Sequence, residues 1–167
     1  RTLAVNDDVA FPWFAPAGIR RGVVDNATSV GFIKSSTGEK QVIAVSSGIR
    51  DTLQSNRLNP ITFLTGAGLT VFGQKTRHSG TSALDRVNVA RLVVFLRTQL
   101  DKLAQPFIFE PNDELTRNEI KQAVESFLLE VQGQRGLFDF AVVCDTTNNT
   151  PSRICLLYTS PSPRDPT

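Results

Sequence analysis

The chain has 167 residues, of which 40% are hydrophobic and 20% are charged, and its formal net charge is +2. This length fits one domain of ordinary size, and the small net charge gives no support to a nucleic-acid or membrane-surface partner. Two cysteines and one histidine cannot supply a Cys/His zinc site.

The first part of the chain predicts a loop followed by short elements. Residues 11–18 contain two prolines and three aromatics, which disfavour both a helix and a central strand. We interpret this loop either as an apolar plug over the edge of the core or as a contact with a neighbouring subunit. A turn is predicted at 35–38 and a short helix at 48–56.

The next runs predict a β-hairpin. Residues 61–65 and 69–72 are rich in β-branched and aromatic side chains, and the connection Gly66-Ala67-Gly68 suits a tight turn. Residues 74–82 predict a polar loop.

Two amphipathic helices are predicted next, over residues 83–104 and 117–132. Ser82 is the expected cap of the first, and Thr116 with Glu119 forms a capping box for the second. The apolar side chains that recur at helical spacing are Leu92, Phe95, Leu96, Leu100 and Leu103 in the first helix and Ile120, Val124, Phe127, Leu128 and Val131 in the second.

Residues 137–144 predict a strand with two mostly apolar faces, which indicates a strand covered on both sides. Phe138, Phe140, Val142 and Cys144 share one of these faces, and Cys144 is expected to be a small buried hydrophobe. The predicted class is α/β (α+β-like): a mixed sheet containing the hairpin, with the two long helices packed on it.

One segment resembles a nucleotide-binding motif. Residues 68–76 (GLTVFGQKT) approach the phosphate-binding loop pattern, but Gln74 separates the second glycine from Lys75-Thr76. A small nucleotide-binding or enzymatic α/β domain that uses this loop is therefore the alternative function. No other catalytic, cofactor or metal residues are predicted.

Several segments together carry a family resemblance. The stretch 12–18 (PWFAPAG), with Arg21-Gly22-Val23 after it, resembles the entry to the C-terminal domain of phage contractile-tail sheath proteins. Further segments that resemble this family follow in the family's order at 59–61, 71–76, 83–92, 109–113 and 142–151.

The resemblance implies a structural protein that is not an enzyme and has no cofactor. Its implied partners are other copies of itself, joined by strand exchange in a helical assembly, together with the tail tube, tail terminator and baseplate proteins. Neither nucleic acid nor membrane is an implied partner. The implied location is the phage tail, after assembly in the bacterial cytoplasm.

The same resemblance divides the chain into three parts. Residues 1–24 are expected to be an entry segment from an upstream domain, and 25–154 the sheath C-terminal domain, truncated. Residues 155–167 resemble the translation of a sequencing adapter and are expected to be non-native; a genuine Pro/Ser-rich disordered tail is the alternative.

Two sets of residues are candidate contact sites. Phe138, Phe140 and Val142 are the expected edge of the sheet that meets a neighbouring subunit. Arg117, Lys121 and Glu125 recur at a spacing of four on the second helix and are candidates for an electrostatic contact with the tube. A solvated helix face with internal ion pairs is the other interpretation of these charges.

Overall fold

A computed structural model describes residues 2–150 and divides the chain into two compact units, the first ending at Val93 and the second beginning at Val94. The predicted non-native tail at 155–167 lies outside the described residues. The helices and strands are α1 (Thr2–Val9), α2 (Gly18–Arg21), β1 (Gly31–Ile33), β2 (Lys40–Val42), α3 (Ser47–Ser55), β3 (Ile61–Leu64), β4 (Gly68–Val71), α4 (Val87–Ala104) and α5 (Glu114–Gly133). Helices with small antiparallel sheets confirm the predicted mixed α/β class.

The β3–β4 hairpin confirms its prediction. The two strands pair antiparallel, with Ile61 opposite Val71 and Leu64 opposite Gly68. Gly66 and Gly68 have φ values of +86° and +77°. A residue with a side chain would be strained in this backbone conformation, so the turn requires glycine. The polar loop that follows β4 is also present.

A second hairpin, β1–β2, surrounds the turn predicted at 35–38. Its three-residue strands pair antiparallel, with Gly31 opposite Val42, and every strand residue is exposed. A two-stranded sheet this short and this exposed has little stability of its own.

The aromatic loop before α2 is present and folds on itself. The rings of Phe11 and Trp13 stack with centroids 4.9 Å apart, and the guanidinium of Arg21 lies 4.9 Å from the centroid of Phe14. Trp13 is only 6% exposed whereas Phe11 is 42% exposed. The burial of Trp13 within its own chain favours the plug interpretation for this residue.

The first predicted long helix begins later than expected. Ser82 does accept a hydrogen bond from the backbone N–H of Leu84, but it caps only a short 3-10 turn, Ala83–Asp85. Arg86 then adopts an extended conformation, and α4 starts at Val87. The break has a physical cause, because hydrogen bonds from Thr76 to Asp85 and from Val87 to Gln74 tie the chain on either side of Arg86 to the preceding loop.

The predicted capping box of the second helix is wrong. The helix begins at Glu114, and the cap is Asp113, whose carboxylate accepts the backbone N–H of Thr116 at 2.8 Å. Aspartate is a strong N-cap residue, and its negative charge also complements the positive end of the helix dipole. The hydrogen bonds from Thr116 hold the pKa of Asp113 below its ordinary value.

We therefore expect Asp113→Ala to lower the melting temperature at pH 7 more than at pH 3. A carboxylate whose pKa is lowered by folding contributes stability above its unfolded pKa and loses that contribution as the pH falls through the folded pKa. Asp113→Asn is the control, because it keeps the acceptor oxygen without a titrating charge. Thermal unfolding followed by circular dichroism measures the effect, and an equal loss at both pH values for Asp113→Ala contradicts it.

The predicted apolar stripes form the inner faces of α4 and α5. Leu92, Leu128 and Val131 are buried, the other stripe residues are half-buried, and the rings of Phe95 and Phe127 lie 6.3 Å apart. Val131, at 2% exposure, is the most buried of the apolar core residues.

The strand predicted at 137–144 does not form, so that prediction is wrong for the chain as it stands. No backbone–backbone hydrogen bond joins these residues to any other part of the described chain. The physical reason is that a strand needs a partner, and no described segment offers one here. Cys144 is half-buried, and burial raises the pKa of its thiol.

Candidate functional site

The outer edge of β3 is open. The bond from the N–H of Phe72 to the carbonyl of Pro60 fixes which β3 residues face β4. Because hydrogen-bonded pairs alternate in an antiparallel ladder, the N–H and C=O groups of Ile61 and Phe63 point away from β4. Neither residue makes a backbone–backbone hydrogen bond on that side within residues 2–150.

The opposite edge of the same hairpin is closed. Val24 donates to the carbonyl of Leu69, and Val71 donates to the carbonyl of Gly22, so residues 22–24 act as a third strand beside β4. The β3–β4 sheet is therefore paired along its β4 edge, by residues 22–24, and unpaired along its β3 edge.

An apolar groove of about 270 Å³ lies along the open edge. Its far wall is the segment that follows β2, which the hydroxyl of Thr62 contacts through a hydrogen bond to the carbonyl of Val45 at 3.3 Å. The apolar side chains that line it include Val30, Val42, Ile43, Val45, Phe63 and Leu69.

This arrangement suits the addition of a strand. The free backbone groups of Ile61 and Phe63 can pair with an extended peptide, and the apolar walls can hold alternate side chains of that peptide. Phe63, 67% exposed, is then the largest side chain available for such a contact at this edge.

The inter-subunit edge that the sequence predicted, at Phe138, Phe140 and Val142, lies in the second unit. Phe138 is 99% exposed, whereas Phe140 and Val142 are half-buried. Along 139–144, exposed and half-buried residues alternate, which is the period of an extended chain with one face covered. The backbone groups of this segment are only partly free for pairing. The carbonyls of Phe138 and Val143 accept side-chain hydrogen bonds, and the N–H of Phe140 donates to the side chain of Asp139.

The charges predicted on α5 are not all exposed. The guanidinium of Arg117 is part-buried and donates to the backbone carbonyl and the side-chain oxygen of Asn112, at 3.1 and 3.0 Å. Arg117 therefore holds the loop that leads into α5, and its contact with the tube stays a prediction. Lys121 Nζ lies 3.9 Å from Glu125 Oε1, so these two residues form an ion pair within α5. Such a pair is what the other interpretation, a solvated helix face, expects.

The loop at 68–76 does not have the geometry of a phosphate site. The residues between its glycines form most of β4, and the N–H groups of Lys75 and Thr76 bond to Asn59 Oδ1 and the Asp85 carbonyl. These amides are therefore not free to form an anion-binding nest. In the described part of the chain, no cluster of three or more His, Cys, Asp or Glu residues suits a metal ion, and no helix is long and apolar enough to cross a membrane.

Comparison with known families identifies the second half of the chain. The family model of the phage tail sheath C-terminal domain matches residues 79–159. These residues belong to that family.

Curated relatives of the sheath domain extend the match. The chain is 34% identical over 151 residues to the tail sheath protein of Vibrio phage KVP40, and 34% identical over 151 residues to that of Enterobacteria phage T4. Each alignment covers 90% of this chain and 21% of the relative. The chain therefore spans about a fifth of the length of these curated relatives.

Solved structures show the same fold. The chain is similar to a chain in the baseplate of the anti-feeding prophage, with a TM-score of 0.76 and 22% identity, over 99% of this chain and 45% of that chain. It is also similar to a chain in the sheath complex of an extracellular contractile injection system in its contracted state, with a TM-score of 0.65 and 22% identity, over 84% and 36% of the two chains.

Sequence reasoning found the family of the sheath domain but missed the open edge of β3. The hairpin was predicted, yet which of its edges is free depends on the pairing of residues 22–24, whose strand signal is weak. The sequence of β3 carries no signal for this edge, because alternation along a strand shows which side chains share a face and not which edge is paired.

Proposed function

We propose that this chain is part of a structural subunit of a contractile phage tail sheath. The subunit polymerises helically around the tail tube, and contraction of the sheath drives the tube into the host envelope. In this role the chain performs no catalytic step and needs no cofactor.

The observation that carries the proposal is the open edge of β3 beside an apolar groove. An unpaired edge with an apolar wall invites aggregation unless another segment fills it. A helical polymer of identical subunits supplies such a segment at every position. An edge that favours aggregation in a monomer would then form a contact between subunits in the assembly.

The partners follow from this role. Other copies of the chain would exchange strands, and the tube, terminator and baseplate proteins would contact the polymer along its inner surface and at its ends. The subunit would be located in the phage tail after assembly in the host cytoplasm, with neither nucleic acid nor membrane as a direct partner.

Two further contact sites belong to the proposal. Phe138, Phe140 and Val142 would form a second edge for inter-subunit pairing, since they make no backbone–backbone hydrogen bond within residues 2–150. Lys121 and Glu125 would meet the tube, with Arg117 holding the loop before α5 in place through Asn112. The two facing charges are 44% and 40% exposed, so a charged partner surface can reach both.

The full-length reading frame provides the test. We would express the full-length protein and image the purified product by negative-stain electron microscopy. Striated hollow tubes or short rings are the expected result, and a monodisperse monomer from the intact gene would overturn the proposal.

The 167-residue chain alone is expected to remain monomeric or to aggregate without regular order. It spans about a fifth of its relatives, and its open edge has no dedicated partner segment among residues 2–150. Sedimentation velocity and electron microscopy of the isolated chain measure this, and regular tubes from it would contradict the expectation.

A further inference from the structure

The side chain of Asn59 takes the place of a strand residue beside the hairpin. Its Nδ2 donates to the carbonyl of Lys75 at 2.9 Å, and its Oδ1 accepts the N–H of Lys75 at 2.7 Å. A side-chain amide that meets both backbone groups of one residue reproduces the donor and the acceptor of a β-ladder pair. The pairing of the hairpin thus continues beyond its last backbone bond, which joins the N–H of Phe72 to the carbonyl of Pro60.

Close packing against Gly73 fixes the position of Asn59. A methyl group on Gly73 would lie 2.8 Å from Asn59 Oδ1 and 3.1 Å from both Asn59 Cα and Pro60 Cδ. These distances are shorter than ordinary van der Waals contacts, so one of the groups would have to move. Pro60 is fully buried, which leaves Asn59 as the group that yields. Glycine is required here by the close approach, since its φ lies outside the left-handed region.

The segment that Asn59 contacts also bonds to the start of α4. The N–H of Thr76 donates to the carbonyl of Asp85 at 2.7 Å, and the N–H of Val87 donates to the carbonyl of Gln74 at 2.8 Å. Backbone groups of successive residues point to opposite sides of an extended chain. One short segment therefore bonds to Asn59 on one side and to the first residue of α4 on the other.

We propose that Asn59 and Gly73 form a clip that couples β3 to the start of α4. β3 begins at Ile61, two residues after Asn59, so a displacement of this strand moves the clip and, through residues 74–76, the first turn of α4. Asn59 is thus a positioning residue, and the coupling is a property of the fold of the first unit. A strand that docks on the open edge of β3 would reach α4 by this route, a consequence that rests on the proposed function.

Amide hydrogen exchange of the 167-residue chain tests the clip in the variant Asn59→Asp. This variant keeps the size of the side chain and one acceptor oxygen, but it loses the donor to the Lys75 carbonyl. The N–H groups of Thr76 and Val87 do not bond to Asn59, yet they are expected to exchange about tenfold faster, the effect of losing one hydrogen bond. The N–H of Val71, which is bonded on the opposite edge of the hairpin, should stay within about twofold of the parent.

Asn56→Asp is the matched control. Asn56 is exposed like Asn59, and its Nδ2 also donates to a backbone carbonyl, that of Thr52, at 2.8 Å. It lies at the end of α3 and makes no hydrogen bond to residues 74–76 within the described chain. The same chemical change at this position should therefore leave the exchange at the start of α4 within about twofold of the parent.

Gly73→Ala tests the clip from its other side. The added methyl group displaces Asn59 without removing any hydrogen-bonding atom, so exchange at Thr76 and Val87 is expected to rise here too. Unchanged exchange of these two amides in Asn59→Asp would overturn the proposal. An equal rise at Val71 would overturn it as well, because it would indicate a general loss of stability. The measurement needs no assembly, so its failure is distinguishable from a failure of the proposed function.

Discussion

Replacing Phe63 with lysine is expected to abolish tube formation by the full-length protein while leaving the domain folded. The side chain of Phe63 is 67% exposed, so little packing within the chain is lost. Phe63 lines the apolar groove, and a strand that docks there would have to desolvate the new ammonium group. Lysine on an edge strand is also a common natural means of preventing strand addition. Negative-stain electron microscopy measures tube formation, and circular dichroism verifies the fold.

Val9→Lys is the matched control for this experiment. Val9 is 69% exposed and lies in the same unit, but it is not part of the groove. It should leave the tubes intact if the β3 edge is the joint. Normal tubes from Phe63→Lys would show that the joint lies elsewhere, and the candidate edge at Phe138, Phe140 and Val142 would then be tested in the same way.

The sequence predicted the hairpin but not which of its edges is open, because the two depend on different information. Alternating β-branched and aromatic residues around Gly66-Ala67-Gly68 determine local pairing between β3 and β4. Which outer edge stays open depends on a non-local contact, the bonds of Val24 and Val71 with Leu69 and Gly22. No periodicity within the hairpin encodes that contact.

At residues 137–144 the sequence predicted a strand that the structure does not form. Their pattern is that of a strand, and their exposure still alternates from Asp139 to Cys144, yet no strand forms. Local pattern predicts which side chains share a face, but hydrogen bonding requires a second segment. A pattern without a partner is what a domain that completes its sheet in an assembly would show.

The starts of the two long helices differ from their predictions, and in both cases a competing contact explains the difference. At α5, Asp113 precedes the expected cap Thr116 and takes over its role, because its carboxylate reaches the N–H of Thr116. At α4, the residues expected to begin the helix bond instead to the loop at Gln74 and Thr76. The apolar stripes were predicted correctly because they depend on spacing alone.

Trp13→Ala is expected to destabilise the chain by about 3–5 kcal/mol, the usual cost of removing a large buried aromatic side chain. Trp13 is 6% exposed, and its ring stacks on Phe11 at 4.9 Å, so the substitution removes both buried area and an aromatic contact. Chemical denaturation of the 167-residue chain, followed by circular dichroism, measures the loss.

Phe11→Ala is the matched comparison for Trp13→Ala, because it removes the exposed ring of the same aromatic stack. Phe11 shares the stack but is 42% exposed, so its removal should cost less than half as much. A large loss for Trp13 in the isolated chain means that the aromatic loop is a plug over its own core. If Trp13→Ala leaves the isolated chain unchanged and impairs only the assembly of the full-length protein, the loop is a contact with a neighbouring subunit instead. The burial of Trp13 favours the first outcome, because a residue already covered by its own chain has little surface left for a neighbour.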